Sequence, residues 1–182
     1  MGRLVIASAA ACLVCFAQTP ARAQAPTAPP TCDAPEFRAF DFWVGDWDLD
    51  FDAAPGVLGH ASNRITKDEY GPCVIAEHFE LPATRYKGGS YSIYDRNARV
   101  WRQSWVDNQG GVFNLVGGPV SGQPYVFELR TNGPAGPGGK IMRMIWQDVT
   151  PDSLTWHWQA QQPDGSWKDN WVLRYKRHKA GA

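Results

Sequence analysis

The chain has 182 residues, a formal net charge of zero, nine tryptophans and four cysteines. A balanced charge argues against nucleic acid as a partner, because basic residues are not in excess to neutralise phosphates. The length suits one domain with a sizeable core rather than two.

At the N-terminus Arg3 precedes an apolar run, Leu4 to Ala17, and then "TPARAQA", the pattern of a secretory signal peptide. Ala21-Arg22-Ala23 places cleavage before Gln24, and the run is too short for a stable bilayer span. The mature chain is therefore expected to be soluble, without an integral membrane segment, and periplasmic or secreted. Neither Cys12, with Ala9 three places before it, nor Cys15, with Val14 just before it, fits a lipidation site. Loss of Arg3 and Arg22 reduces 18 Lys plus Arg to 16 against 18 Asp plus Glu, a net charge of −2. Residues 1–23 thus read as signal peptide, 24–31, "QAPTAPPT", as a disordered leader with nothing to bury, and 32–178 as the folded domain.

Cleavage also removes Cys12 and Cys15, leaving Cys32 and Cys73 in an oxidising compartment. One intramolecular pairing is possible, and that disulfide would stabilise by roughly 2 to 4 kcal/mol; the alternative is two separate thiols. No Cys or His pair stands at zinc-ligand spacing.

The domain opens with "CDAPEF", in which Asp33 reads as a helix N-cap, Pro35 lies in the first turn and Glu36 follows the cap by three residues. The helix is expected from Ala34 to Trp43, ending near Gly45. The period then becomes two: Trp47, Leu49 and Phe51 point one way and Asp46, Asp48, Asp50 and Asp52 the other, a half-buried strand with an acidic outer face. Nine further strands follow at about Gly59–Lys67, Cys73–Leu81, Gly89–Asp95, Val100–Asp107, Val112–Val116, Tyr125–Thr131, Lys140–Thr150, Ser153–Gln161 and Trp167–Lys176. Short punctuated connections favour antiparallel neighbours, and ten of these avoid exposed edges by closing on themselves. The expected fold is all-β, an antiparallel up-and-down barrel of about ten strands with a short N-terminal helix and room for a cavity. A two-sheet sandwich is the competitor, with "NGPAGPGG", residues 132–139, its candidate crossover.

A short helix leading into Gly45-Asp46-Trp47 resembles the G-x-W signature of lipocalins and related calycin barrels. That resemblance implies that Trp47 packs at the closed end of the barrel beneath an arginine of the last strand, here matched to Arg174. The Thr-Asp-Tyr motif of lipocalins is absent, and the strand count is nearer ten than eight. The longer pattern "FDFWVGDWDLDF", "CVIAEHFE" and "GGSYSIYDRNARVWRQSWVDNQGG" resembles a group of secreted bacterial proteins of unknown function with lipocalin-like barrels. It implies fold and compartment and carries no activity to transfer.

Alternation assigns the lining. Trp101, Gln103 and Trp105 share a face taken as interior, and by the same logic Tyr91, Ile93, Trp156, Trp158, Trp167, Trp171 and Tyr175 point inward. Aromatic walls with a few polar handles are the usual lining of a small-molecule pocket, although the same residues can simply fill a core. Glu77 shares a face with Cys73, Ile75 and Phe79, so it is expected to be partly buried and to need a partner, for which Gln103, Arg143 and Tyr91 are candidates. The face of Arg143 stays open. The Glu77 carboxylate either ties strands together or orients a ligand or proton.

No G-x-S-x-G, HExxH or phosphate loop is present, so no catalytic residue is assigned. Neither a metal nor another cofactor is expected. Some ten-stranded calycin-like barrels hold haem through a late-strand histidine, but His157 faces away if Trp156 and Trp158 face inward. The favoured reading is an exported binder of a small apolar or amphipathic molecule through Glu77, Tyr91, Trp101, Gln103, Trp105, Arg143, Trp156, Trp158 and Trp171. The alternatives are a cofactor-free isomerase or lyase using Glu77 and a structural or interaction barrel without ligand.

Overall fold

The computed structural model describes residues 31–67, 69–123, 126–133, 135 and 138–179. The expected signal peptide and nearly all of the leader lie outside the described residues. Within them the chain forms a short helix α1 (Pro35–Arg38), a single 3-10 turn (Asp41–Trp43) and the strands β1 (Gly45–Ala54), β2 (Val57–Thr66), β3 (Val74–Leu81), β4 (Tyr86–Asp95) and β5 (Val100–Asp107). The second half contributes β6 (Val112–Pro119), β7 (Phe127–Thr131), β8 (Met142–Gln147), β9 (Ser153–Gln161) and β10 (Trp167–Arg177). Each strand pairs with its sequence neighbour, and β1 pairs with β10 from Trp47↔Arg177 to Asp50↔Arg174, closing the barrel. Closure removes every sheet edge, which disposes of the sandwich. Residues 132–139 join β7 to β8, which are antiparallel neighbours, so that segment is no crossover.

The β1 alternation is realised in full. Trp47, Leu49 and Phe51 are buried, while Asp48, Asp50 and Asp52 stand outside and meet His178, Lys176 and Arg174 respectively. The helix is shorter than expected. Asp33 does not cap it; the N-cap is Ala34, without a side-chain hydrogen bond, and α1 breaks after Arg38 so that the separate turn can drive Phe40 and Trp43 into the barrel. Burial of two large rings outweighs continuation of a marginal helix, each ring contributing roughly 2 to 3 kcal/mol.

A cluster around Phe40 seals one end of the barrel. Its ring stacks on Phe127 at 4.1 Å and on Trp43 at 4.9 Å, with Trp101 and Trp146 meeting it edge-on. The Trp47 indole donates to the Trp43 carbonyl at 2.8 Å, and that of Trp101 to the Glu36 carbonyl at 3.1 Å. The Cys32–Cys73 disulfide, with Cα atoms 5.3 Å apart, ties the segment before α1 to the start of β3 at this same end.

The arginine over Trp47 is Arg177, not Arg174. Its guanidinium lies 3.9 Å from the indole centroid and donates to the Val44 carbonyl at 2.7 Å. Strand parity explains the correction: Leu173, Tyr175 and Arg177 share the inner side of β10, whereas Arg174 projects outward to Asp52. Gly45 has φ +140°, and a Cβ there would come within 1.9 Å of the Arg177 guanidinium, so the glycine of G-x-W makes room for the arginine.

Candidate binding cavity

The opposite end of the barrel, where β1 meets β2 and β5 meets β6, opens into a cavity of about 810 Å³. Five of the expected ligand residues line it: Glu77, Trp105, Trp156, Trp158 and Trp171. Phe51 and Phe79 both meet the Trp171 ring, at 5.3 and 5.7 Å, and Phe113 meets Trp158 at 5.1 Å. Trp156 and Trp158 lie nearly parallel, 6.5 Å apart. Phe51 and Phe79 were visible as alternating strand residues and Phe113 was not singled out, and only closure brings these distant strands to one mouth.

The other expected residues lie elsewhere. Trp101 belongs to the sealed end, and Gln103 is fully buried beside it in the wall, donating to Ser92 Oγ at 3.1 Å. Tyr91 and Ile93 are on the outer face, 46 % and 42 % exposed. The inner positions of β4 are Gly88, Ser90 and Ser92, because their cross-strand partners Phe79, Trp105 and Gln103 occupy the volume. A Cβ on Gly88 would lie 2.2 Å from the Trp105 ring. Large side chains on β3 and β5 thus require small ones between them.

Arg143 is also outside, between Glu128 at 2.7 Å and Gln159 at 2.7 Å, and it covers the Trp167 ring at 4.1 Å. Trp167 was expected inside; a bulge between Asp169 and Trp171 reverses the alternation of β10, so Trp171 and Trp167 fall on opposite faces. His157 faces outward and pairs with Asp169 at 2.9 Å.

Glu77 is buried, 7 % exposed, and its partners are not those expected. Asn63 on β2 donates its amide to Oε1 at 2.8 Å, and Ser90 on β4 donates its hydroxyl to Oε2 at 2.6 Å. The same Asn63 amide reaches the hydroxyl of Tyr175 at 3.0 Å. Burial pushes the Glu77 carboxyl up to about 7, against the pull of Ser90 and Asn63. Burial also holds the Tyr175 phenol well above its ordinary range. Asn63 carried no distinguishing sequence signal beyond its inner parity on β2.

A second acid stands at the rim. Asp107 Oδ2 accepts from the Tyr86 hydroxyl at 3.0 Å and from the Trp105 indole at 3.1 Å, while Oδ1 accepts backbone N–H groups of Gln109 and Gly111. Partial burial works to raise this carboxyl, but the four donors outweigh it and hold it below its ordinary value. Asp107 therefore stays ionised while Glu77 titrates near neutrality.

No family model matches the chain, and none of the curated proteins does. Among solved structures the chain is similar to the crystal structure of Rv2717c from M. tuberculosis, with a TM-score of 0.55 and 15 % identity over 80 % of this chain and 99 % of that one. A likeness at that identity concerns the fold alone. No helix among the described residues is long and apolar enough to cross a membrane. This chain is an all-β protein, a closed antiparallel barrel of ten strands with a short N-terminal helix.

Proposed function

We propose that this is an exported lipocalin-like barrel, periplasmic or secreted after loss of residues 1–23, that holds a small apolar or amphipathic molecule in its open end. The cavity carries the reading: an aromatic-walled space of about 810 Å³ with one buried carboxyl group among its lining residues. That combination of apolar body and few polar groups is what small-molecule sites offer, in the usual volume range. The disulfide is compatible with an oxidising compartment. The ligand set consists of Glu77, Trp105, Trp156, Trp158 and Trp171, with Phe51, Phe79 and Tyr175 beside them.

N-phenyl-1-naphthylamine, a neutral probe that brightens in apolar surroundings, is expected to bind saturably, and Trp158→Ala to weaken that binding about tenfold, the loss of one large wall contact. Native mass spectrometry of protein purified from its host is expected to show a retained small molecule. An unresponsive probe together with a bare protein would leave a structural barrel.

The reading of Glu77 as an acid or base in a cofactor-free isomerase or lyase has one observation in its favour, a carboxyl raised to about 7 at a cavity wall. Its test is turnover of a captured ligand that disappears in Glu77→Gln while binding persists.

A further inference from the structure

Resting on that binding reading, we propose that the cavity takes organic cations, an ammonium group on an apolar body, with Glu77 as counter-ion and the tryptophan faces as walls. The lining carries two acids on its inner side, Glu77 and Asp107, and includes no lysine, arginine or histidine; Asp52 stands at its edge and turns outward to Arg174. The partners of Glu77 are neutral, an amide and a hydroxyl. Each Glu77 oxygen accepts one of these hydrogen bonds and keeps a further lone pair for a ligand donor.

Two tryptophans outside the cavity already carry a protein cation. Trp47 at the sealed end is covered by Arg177 at 3.9 Å, and Trp167 on the outer face lies under Arg143 at 4.1 Å and Arg130 at 5.2 Å. Trp105, Trp156, Trp158 and Trp171 have no such protein cation among the described residues. An aromatic face attracts a cation through its negative π density, more strongly where water is excluded. An ammonium entering here meets these faces and the carboxylates together. An organic anion meets repulsion and no donor of positive charge, and a neutral molecule leaves the desolvated charge unanswered.

Several groups face Glu77 and bear on its titration. They are Asn63 from β2, Ser90 and Tyr86 from β4 and Tyr175 from β10, with His78 on the opposite side of β3 paired to Glu69; Asp107 from β5 lines the same cavity. Burial raises both tyrosines far above neutrality, so they stay uncharged. Protonation of Glu77 therefore removes the counter-ion in a window where Asp107 remains ionised, and cation binding is expected to weaken as pH falls through about 7.

The test is calorimetry of the mature protein with three probes of one shape: 4-phenylbutylamine, 4-phenylbutanol and 4-phenylbutyrate. At about pH 8 the amine is expected to bind at least about tenfold more tightly than the alcohol, with the butyrate weakest. Glu77→Gln is expected to reduce amine affinity about tenfold and to abolish the preference of amine over alcohol, and lowering the pH to about 5.5 to do the same to the unaltered protein. The probe comparison and pH series need no variant, so a Glu77→Gln protein that fails to fold does not remove the test. If alcohol or butyrate binds as tightly as the amine while N-phenyl-1-naphthylamine still binds saturably, the cation assignment falls and the cavity reading stands. If none of the four binds, both fall. An amine preference that survives in folded Glu77→Gln overturns the role of Glu77.

Discussion

The two ends of this barrel use the same residue types for opposite purposes. At the sealed end Phe40, Trp43, Trp47, Trp101 and Trp146 are almost wholly buried, and the indoles of Trp47 and Trp101 donate to backbone carbonyls. At the open end Trp105, Trp158 and Trp171 bound a cavity of about 810 Å³, and acids take the place of the arginine. The helix and turn before β1 make the difference, since they place two extra rings inside one end. Where chain fills the barrel, tryptophan is core; where no such plug enters, tryptophan is wall.

The sharpest way to break this comparison is truncation at both ends. Trp47→Ala is expected to destabilise by about 3 to 5 kcal/mol, as for a fully buried aromatic, and Trp158→Ala by about 1 to 2 kcal/mol, both from urea unfolding. Equal losses would erase the distinction between core and wall. Cys32→Ser with Cys73→Ser, which frees the plug from β3, is expected to cost about 2 to 4 kcal/mol by the same measurement. A thiol titration of the unfolded, unreduced protein lacking residues 1–23 is expected to find no free thiol.

The open end has its own signature in pH. The Glu77 carboxyl ordinarily titrates at 4.5 and is raised to about 7 in the fold, so between these values the native protein holds a proton that the unfolded chain has released. The stabilisation is fully present below about pH 4.5 and is lost as pH rises through about 7, up to roughly 3 kcal/mol in all. The stability of the unaltered protein relative to Glu77→Gln is expected to fall over that window; a flat difference would mean that Glu77 is hydrated. The smallest effect separates the two arginines. Arg177→Ala is expected to cost about 1 to 2 kcal/mol through lost stacking and backbone hydrogen bonds, and exposed Arg174→Ala less than about 0.5 kcal/mol. Equal effects would put the sealing arginine back at Arg174.

Much of the fold was legible because one face of every strand is buried and the side-chain period is two. The run Trp47, Leu49, Phe51 against Asp46, Asp48, Asp50 could be read in only one sense, apolar inward. The run Gly88 to Ile93 could not, because small residues alternate with large ones and the choice depends on whether β3 and β5 have already filled the space. On β10 even a correct period fails, because the bulge at Asp169 to Trp171 changes its phase. Tyr91 and Trp167 were misplaced for these reasons, which are tertiary; Arg174 was matched through the lipocalin resemblance, although the inward phase of Tyr175 already turns it outward.

Composition, alternation and turn residues by themselves pointed to an all-β antiparallel chain of about ten strands with a short N-terminal helix, because strand period and turn chemistry are local properties. Closure of β1 on β10 decided barrel against sandwich. Only the tertiary structure decided which aromatics fill the barrel and which bound its cavity. It also placed Glu77 beside Asn63 and Ser90 rather than beside Gln103 or Arg143. Those outcomes depend on the register between strands and on the volume left by neighbours, and neither quantity is carried by any one segment.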